Sequence, residues 1–455
     1  MKASFHPESR LQIWWNLAQL GFLIFPLFPA LGAIPIALAI LGTGKEKFRQ
    51  IISRPLNWVI GILSILLILT ASIALHRSDA FLGLANFLPF FLLQISFNEL
   101  IQKPAQLRRI AWILILPSLP IAILGLGQLF FNWHTSGLLA NILGWTLIPN
   151  GNPPSRMSSV FMYANIFAAY LLIIFILALS LLIENLVISY KKSDDNNHNN
   201  SNSYLSYAEE NKSEKPLKIP YFQCLFLISV LAFCAIAIVL TNSRNAWAIS
   251  SLACLAFAIY LGWRWLLAGI AGIVTMILAA AYAPSPISQF LRKFVPAFFW
   301  ARLTDRNFPD RPLPYLRTTQ WKFTFWMTQQ RPLTGWGLRN FTPLYQAKYS
   351  TPELPVWLGH PHSLFLMLTG EIGIPTAILF FTLVGWIIYQ GCLLLLNMNG
   401  KNEDKLILFG FIMAFLACTL FNTVDVSIFD LRINTLGWLL LASICGVVYH
   451  RKKYS

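Results

Sequence analysis

YFQCLFLISVLAFCAIAIVLT, residues 221–241, runs for 21 positions without a charged side chain. A helix rises about 1.5 Å per residue, so about 20 apolar residues cross the roughly 30 Å of hydrocarbon in a bilayer. A helix can cross because it satisfies its own backbone hydrogen bonds in lipid. A barrel would need short alternating strands, and that pattern is missing here.

Runs of the same kind recur outward from this one, at 12–26, 28–43, 56–75, 80–97, 110–131, 159–189, 246–262, 265–283, 362–396, 405–424 and 431–449. The 455 residues are 56% hydrophobic and only 11% charged, where soluble chains are about a quarter charged. The expected fold is an all-α polytopic membrane protein with about twelve transmembrane helices and a large helical extracytoplasmic loop between the ninth and tenth. The run at 28–43 is short and interrupted by Pro29 and Pro35. The one at 362–396 is too long for a straight span, and Gly370, Gly373 and Pro375 mark a bend after a half-inserted first part.

The chain therefore divides into 1–190 (six helices), 191–220 (a polar loop), 221–283 (three helices), 284–361 (an outer cap) and 362–455 (three helices and a basic tail). Lys2 and Arg10 precede the first apolar run as in a signal peptide. No small-residue cleavage site follows, however, and Trp14, Trp15, Asn16 and Gln19 dilute the run, so it reads as a membrane helix. The six cysteines all lie in apolar runs without a CxxC pair and read as fillers. The 191–218 insert, dense in Asn, Ser, Asp, Glu and Lys, has too little hydrophobicity to fold and carries no chemistry.

Loop charges set the expected orientation, because short cytoplasmic loops collect Lys and Arg. With the N-terminus inside, Lys45, Lys47, Arg49 and Arg54, then Lys103, Arg108 and Arg109, then Lys401 and Lys405, and the tail Arg451–Lys453 all fall on the cytoplasmic side. Short outer loops keep only Arg77, Arg156, Arg244 and Arg432. Both termini are thus expected in the cytoplasm of a bacterial inner membrane protein. The formal charge of +16 suits anionic lipid or an anionic substrate; the basic residues are spread over membrane flanks, which disfavours nucleic acid.

The segment 284–362 departs from this pattern. It carries ten Lys and Arg against three acids, Asp305, Asp310 and Glu353, on the outer side. A connection this long, rich in Trp, Pro and Arg, suits a small folded cap better than a tether. Its positive charge fits either a solvated, headgroup-facing surface or recognition of a phosphorylated substrate.

Three constellations carry candidate chemistry. Thr241-Asn242-Ser243-Arg244-Asn245 is a polar knot between the seventh and eighth helices, where Arg244 serves either function or anchoring. Its hydrogen-bonding groups make a cup for phosphate oxygens. Arg317 opens a probable helix with Trp321, Phe325 and Trp326, aromatic residues suited to packing or to stacking on sugar. Arg331-Pro332-Leu333-Thr334-Gly335-Trp336-Gly337 then ends it. His360-Pro361-His362-Ser363 marks re-entry into the membrane. A zinc site needs three or four ligands, and neither Glu353 nor Glu371 has the spacing, so no metal is expected. A structural histidine or a general base near neutral pH remains. Glu371 either orients such a base or satisfies backbone groups at the bend. A Gly-Lys-Ser/Thr phosphate loop, a dinucleotide glycine pattern and an Asp-x-Asp pair are all missing from the sequence, which disfavours ATP-driven pumping and sugar-nucleotide chemistry.

In the order and membrane placement of these pieces the chain resembles the O-antigen ligase and O-antigen polymerase superfamily of bacterial membrane proteins. The likeness rests on Ser243-Arg244, on Arg317 to Trp321 followed by Pro332 to Gly337, and on His360 to Ser363 continuing to Glu371 and Gly373. It covers roughly 221–425. The family usually has Asn after the second histidine, and Ser363 stands there instead.

The resemblance implies metal-independent, inverting glycosyl transfer on the outer face of the inner membrane, without a cofactor. The donor would be an undecaprenyl-diphosphate-linked glycan and the acceptor a lipid or glycan hydroxyl, both reached from the surrounding membrane lipids. His362 would take the acceptor proton, and Arg244 and Arg317 would bind the diphosphate. Arg339, Arg302, Ser243, His360 and Glu371 are further candidates for contact with substrate. Polymerase rather than ligase activity is the alternative within this class. Bicarbonate or other solute transport, a label given to some similar proteins, is the alternative outside it.

Overall fold

The computed structural model describes residues 5–201, 221–303, 312–356, 358–398 and 402–452, except for the side chains of 188–201, 298, 302, 402 and 452. The 191–218 insert thus falls outside the described side chains, and most of it outside the described backbone. Among the described residues every regular element is a helix, apart from one isolated bridge between Gly151 and Arg156.

The longer helices are α1 (Gln12–Ile24), α2 (Pro29–Glu46), α3 (Pro55–Ser72), α4 (Arg77–Leu100), α5 (Pro104–Phe130), α6 (Ala164–Ser201), α7 (Tyr221–Leu240) and α8 (Arg244–Leu261). They continue as α9 (Arg264–Tyr282), α10 (Arg317–Gln330), α11 (Phe341–Tyr349), α12 (Leu364–Ile372), α13 (Ile374–Asn397), α14 (Asn402–Phe421) and α15 (Leu431–Lys452). Ten are long and apolar enough to span a bilayer, and they correspond to the third through twelfth runs seen in the sequence. The protein is an all-α polytopic membrane protein. The first two runs form a tight hairpin, in which α1 has only 13 residues and α2 opens at Pro29 with Pro35 inside it.

Sorting by burial follows from lipid as solvent. The apolar windows of α6 and α15 are largely enclosed by other helices, whereas α9 is nearly all exposed, as a lipid-facing helix can be. Both described termini sit at one end: His6 Nε2 lies 2.8 Å from Leu100 O, and His450 Nε2 lies 3.5 Å from Glu99.

The opposite end carries the cap. It has its own small core of Phe323, Met327, Phe341, Tyr345 and Val356, separate from the bundle core. The long tenth run breaks at Gly373, with φ at +79°, so that α12 and α13 are separate helices. A Cβ there would stand 2.3 Å from Leu333 O, a clash only glycine avoids. Gly335, with φ at +65°, faces the bend in the same way, its missing Cβ 2.3 Å from Glu371 O. The two turns clasp through the backbone: Trp336 N donates to Gly370 O at 3.1 Å, Gly337 N to Glu371 O at 2.7 Å, and Ile374 N to Pro332 O at 2.8 Å. The Pro332–Gly337 motif is thus the seam that locks the cap onto the half-helix α12.

Candidate functional site

The turn His360-Pro361-His362 lies where the cap meets the bundle. Trp321, on the first turns of α10, donates its indole N–H to Pro361 O at 3.1 Å, and Leu364 N donates to Asn422 O at 2.9 Å. The turn is held from both sides. His362 sits in the left-handed region with φ at +52°, a conformation unfavourable for a side chain of this kind and found where surrounding contacts over-determine the backbone.

Gln320 orients the His362 ring. Its side chain is buried, and its Nε2 donates to Pro314 O at 3.4 Å, which turns Oε1 toward His362 Nδ1 at 2.8 Å. A carboxamide oxygen only accepts, so the neutral ring carries its proton on Nδ1, the tautomer of a general base acting through Nε2.

His360 takes the other tautomer. Its Nδ1 accepts the backbone N–H of His362 at 3.2 Å, which leaves the ring proton on Nε2. The ring packs at 4.6 Å from that of His362 and lies nearly parallel to Phe429 at 5.8 Å. Burial, and after it the neighbouring His362, pushes its pKa down to about 4 against the opposing effect of Asp425, so it is neutral at physiological pH. Asp425 is itself buried; Asn165 Nδ2 donates to its Oδ2 at 2.6 Å and Val426 N to its Oδ1 at 2.9 Å.

One ligating atom each from His360, His362 and Asp425 lies within 4.8 Å of the others, a spacing that a metal ion could bridge. The hydrogen bonds fit such an ion poorly. His360 would have to give up its Nε2 proton or its bond to the His362 backbone, and the ion would face an arginine cluster. No step through a metal is derived.

That cluster is the second part of the site. Arg244 is the first residue of α8 and Arg317 the first of α10, and a helix N-terminus adds its own positive field. Arg156 reaches the same region from the loop before α6; its Nε donates to Thr241 O at 2.8 Å and its Nη2 to Asn165 Oδ1. Burial holds the Arg156 guanidinium below its ordinary proton affinity, and Arg244 and Arg317 push it the same way against Tyr163 and Asp425. Arg156 thus feels the charge of both Arg244 and Arg317, with Asp425 opposing them. Gathered cations of this kind favour an anionic ligand.

The remaining sequence candidates fall in different places. Ser243 is buried directly before α8. Arg339 is exposed, lines a cleft together with His360, and has φ at +62°. Glu371 lies about 13 Å along the chain's helical rise from His362. It is 1% exposed, and its Oε1 accepts the N–H of Phe341 at 3.1 Å. That bond is the contact expected of a brace for backbone groups, here the first turn of α11. The Arg302 side chain lies outside the described residues. Trp321 holds the histidine turn, and Trp326 stacks on Trp336 at 6.0 Å. Gln320, Asp425, Asn165 and Arg156 were not singled out as site residues from sequence. Only Arg156 had left a trace there, as a cation kept in a short outer loop.

Among known families, residues 229–381 match the model described as O-antigen ligase. The match begins inside α7, ends inside α13, and includes Arg244, Arg317, His360 and His362. No curated protein matches the chain.

Proposed function

We propose that the chain is a glycosyl-transferring membrane protein of the O-antigen ligase superfamily, as the match over residues 229–381 supports, and that it moves a glycan from an undecaprenyl-diphosphate-linked donor to an acceptor hydroxyl. The observation that carries this reading is the meeting of cations and histidines at the capped end: Arg156 feels the charge of Arg244 and Arg317, and Arg317 that of His360, whose ring packs on the Gln320-oriented ring of His362. A strongly anionic leaving group next to a proton acceptor is what a diphosphate-activated glycosyl donor presents. Loop charges support placing this end in the periplasm and both termini in the cytoplasm of a bacterial inner membrane.

The step is a single displacement. His362 Nε2 takes the acceptor O–H proton as that oxygen bonds to the anomeric carbon. The bond from the carbon to the diphosphate oxygen breaks, and the electron pair leaves with the diphosphate, inverting the centre. Arg244, Arg317 and Arg156 bind the diphosphate and meet the charge that grows on it, so the chemistry needs neither ATP nor a metal. Fixed donors aimed at developing charge contribute about 3–4 kcal/mol each in well-studied enzymes.

The test is reconstitution with undecaprenyl-diphosphate glycan and candidate acceptors in the presence of EDTA. We expect transfer to persist in EDTA and to fall at least about a hundredfold in His362→Ala, with abundance unchanged. Product on a lipid acceptor identifies a ligase, and lengthening ladders on the lipid-linked glycan identify a polymerase. Parental turnover by His362→Ala would overturn the base assignment. No turnover with any donor would shift the reading to transport.

A further inference from the structure

Beside the histidine pair lies a cleft of about 560 Å3. Its walls come from separate parts of the chain: Asp79 and Asn86 on α4, Thr342 and Gln346 on α11, Arg339 just before α11, and Phe429 in the loop before α15. His360 lies at its floor. The volume falls in the range of about 300–1,000 Å3 usual for ligand pockets.

We propose that this cleft is the acceptor subsite and that it receives a saccharide, whose hydroxyl then reaches His362. The inference rests on the glycosyl-transfer reading and adds the place and chemistry of the second substrate. Three observations support it.

First, the cleft is nearly neutral. Asp79 and Arg339 offset each other, so it offers a phosphate no net positive charge. Second, its polar side chains are unspent: among the described residues, the carboxamides of Asn86 and Gln346 make no hydrogen bond, and Asp79 and Arg339 make no ion pair. Carboxamides, a carboxylate and a guanidinium are the donors and acceptors that pair with vicinal hydroxyls. Phe429, 37% exposed and stacked on His360, offers an apolar face to the C–H side of a sugar ring.

Third, the walls are rigid. Asn340 is fully buried; its Oδ1 accepts His76 N at 2.8 Å and its Nδ2 donates to His76 O at 3.3 Å, tying α11 to the start of α4. Asn434 Nδ2 donates to Asn86 O at 2.9 Å, and Thr342 Oγ1 to Leu358 O at 2.9 Å. A pre-formed polar cleft binds with little ordering cost.

The test uses full-length protein in nanodiscs and, as probe, the free oligosaccharide released by mild acid from the producing cell's own envelope glycans, titrated calorimetrically. Wild type is expected to bind it saturably. Gln346→Trp, which fills the cleft, and the Asn86→Ala/Gln346→Ala pair should each weaken binding at least tenfold, with Arg317→Ala leaving it unchanged. In turnover assays the same cleft variants should raise the acceptor KM and leave the donor KM alone. Equal affinity in wild type and Gln346→Trp, or a rise in donor KM only, would overturn the proposal. Because the titration needs no turnover, a failure of the glycosyl-transfer reading would show separately, as wild-type protein that binds saccharide yet consumes no donor.

Discussion

The two ends of this bundle treat charge differently. At the end that carries the termini, Arg54 pairs with Glu99, donates to Asn98 Oδ1 at 3.0 Å and lies 3.3 Å over the Tyr449 ring. Arg108 pairs with Glu184 and, at 2.8 Å, with Asp404, and Lys47 pairs with Glu8. At the capped end Arg432 pairs with Asp430 at 3.0 Å, but Arg156 donates to a backbone carbonyl and an amide and feels the charge of Arg244 and Arg317. Matched charge in a membrane bundle is a structural device, while cations gathered at its boundary mark a candidate anion site.

Substitutions at the two ends should separate these roles. The largest effect is expected at the terminal end. Glu99→Leu leaves the Arg54 charge buried without its acid, at about 3–5 kcal/mol of stability. Thermal unfolding in detergent should fall markedly while the donor KM of the surviving protein stays at its parental value. A normal melting profile would remove the structural reading of that end.

A smaller effect is expected from Gln320→Glu, on the side chain that fixes the His362 tautomer. A carboxylate there favours the doubly protonated imidazole. The acid limb of kcat/KM, below which the base is already protonated, should therefore move to higher pH by about one unit. Gln320→Leu should lower kcat without moving the limb. An unshifted limb in Gln320→Glu would mean that another group accepts the proton.

The legible parts of this molecule are those fixed by length along the chain. The ten long helices follow from uninterrupted apolar runs, and the break between α12 and α13 from Gly373 and Pro375. The hairpin of α1 and α2 was less legible, because Pro29 and Pro35 shorten the pattern on which a span is read. Within the site, Arg244 and His362 stood out by position at membrane boundaries, and Arg317, one of ten cations in the cap, only through the family resemblance. Their partners did not, because contact between Asn165 and Asp425 joins residues 260 apart, and that between His362 and Gln320 joins residues 42 apart. Nothing periodic records such pairs. Glu371 shows the converse: it lay within the motif, yet its burial at the α11 N-terminus makes it a brace, a distinction only packing reveals.

The account turns on the arginine flank holding a diphosphate. Its most direct test is the affinity of purified protein in nanodiscs for undecaprenyl diphosphate carrying no glycan, measured for the parent, Arg244→Ala and Arg317→Ala at two salt concentrations. The account predicts saturable binding that weakens with salt and falls at least about tenfold in each variant, since charge-assisted pairing dominates it. Equal affinity in the parent and both variants would contradict it.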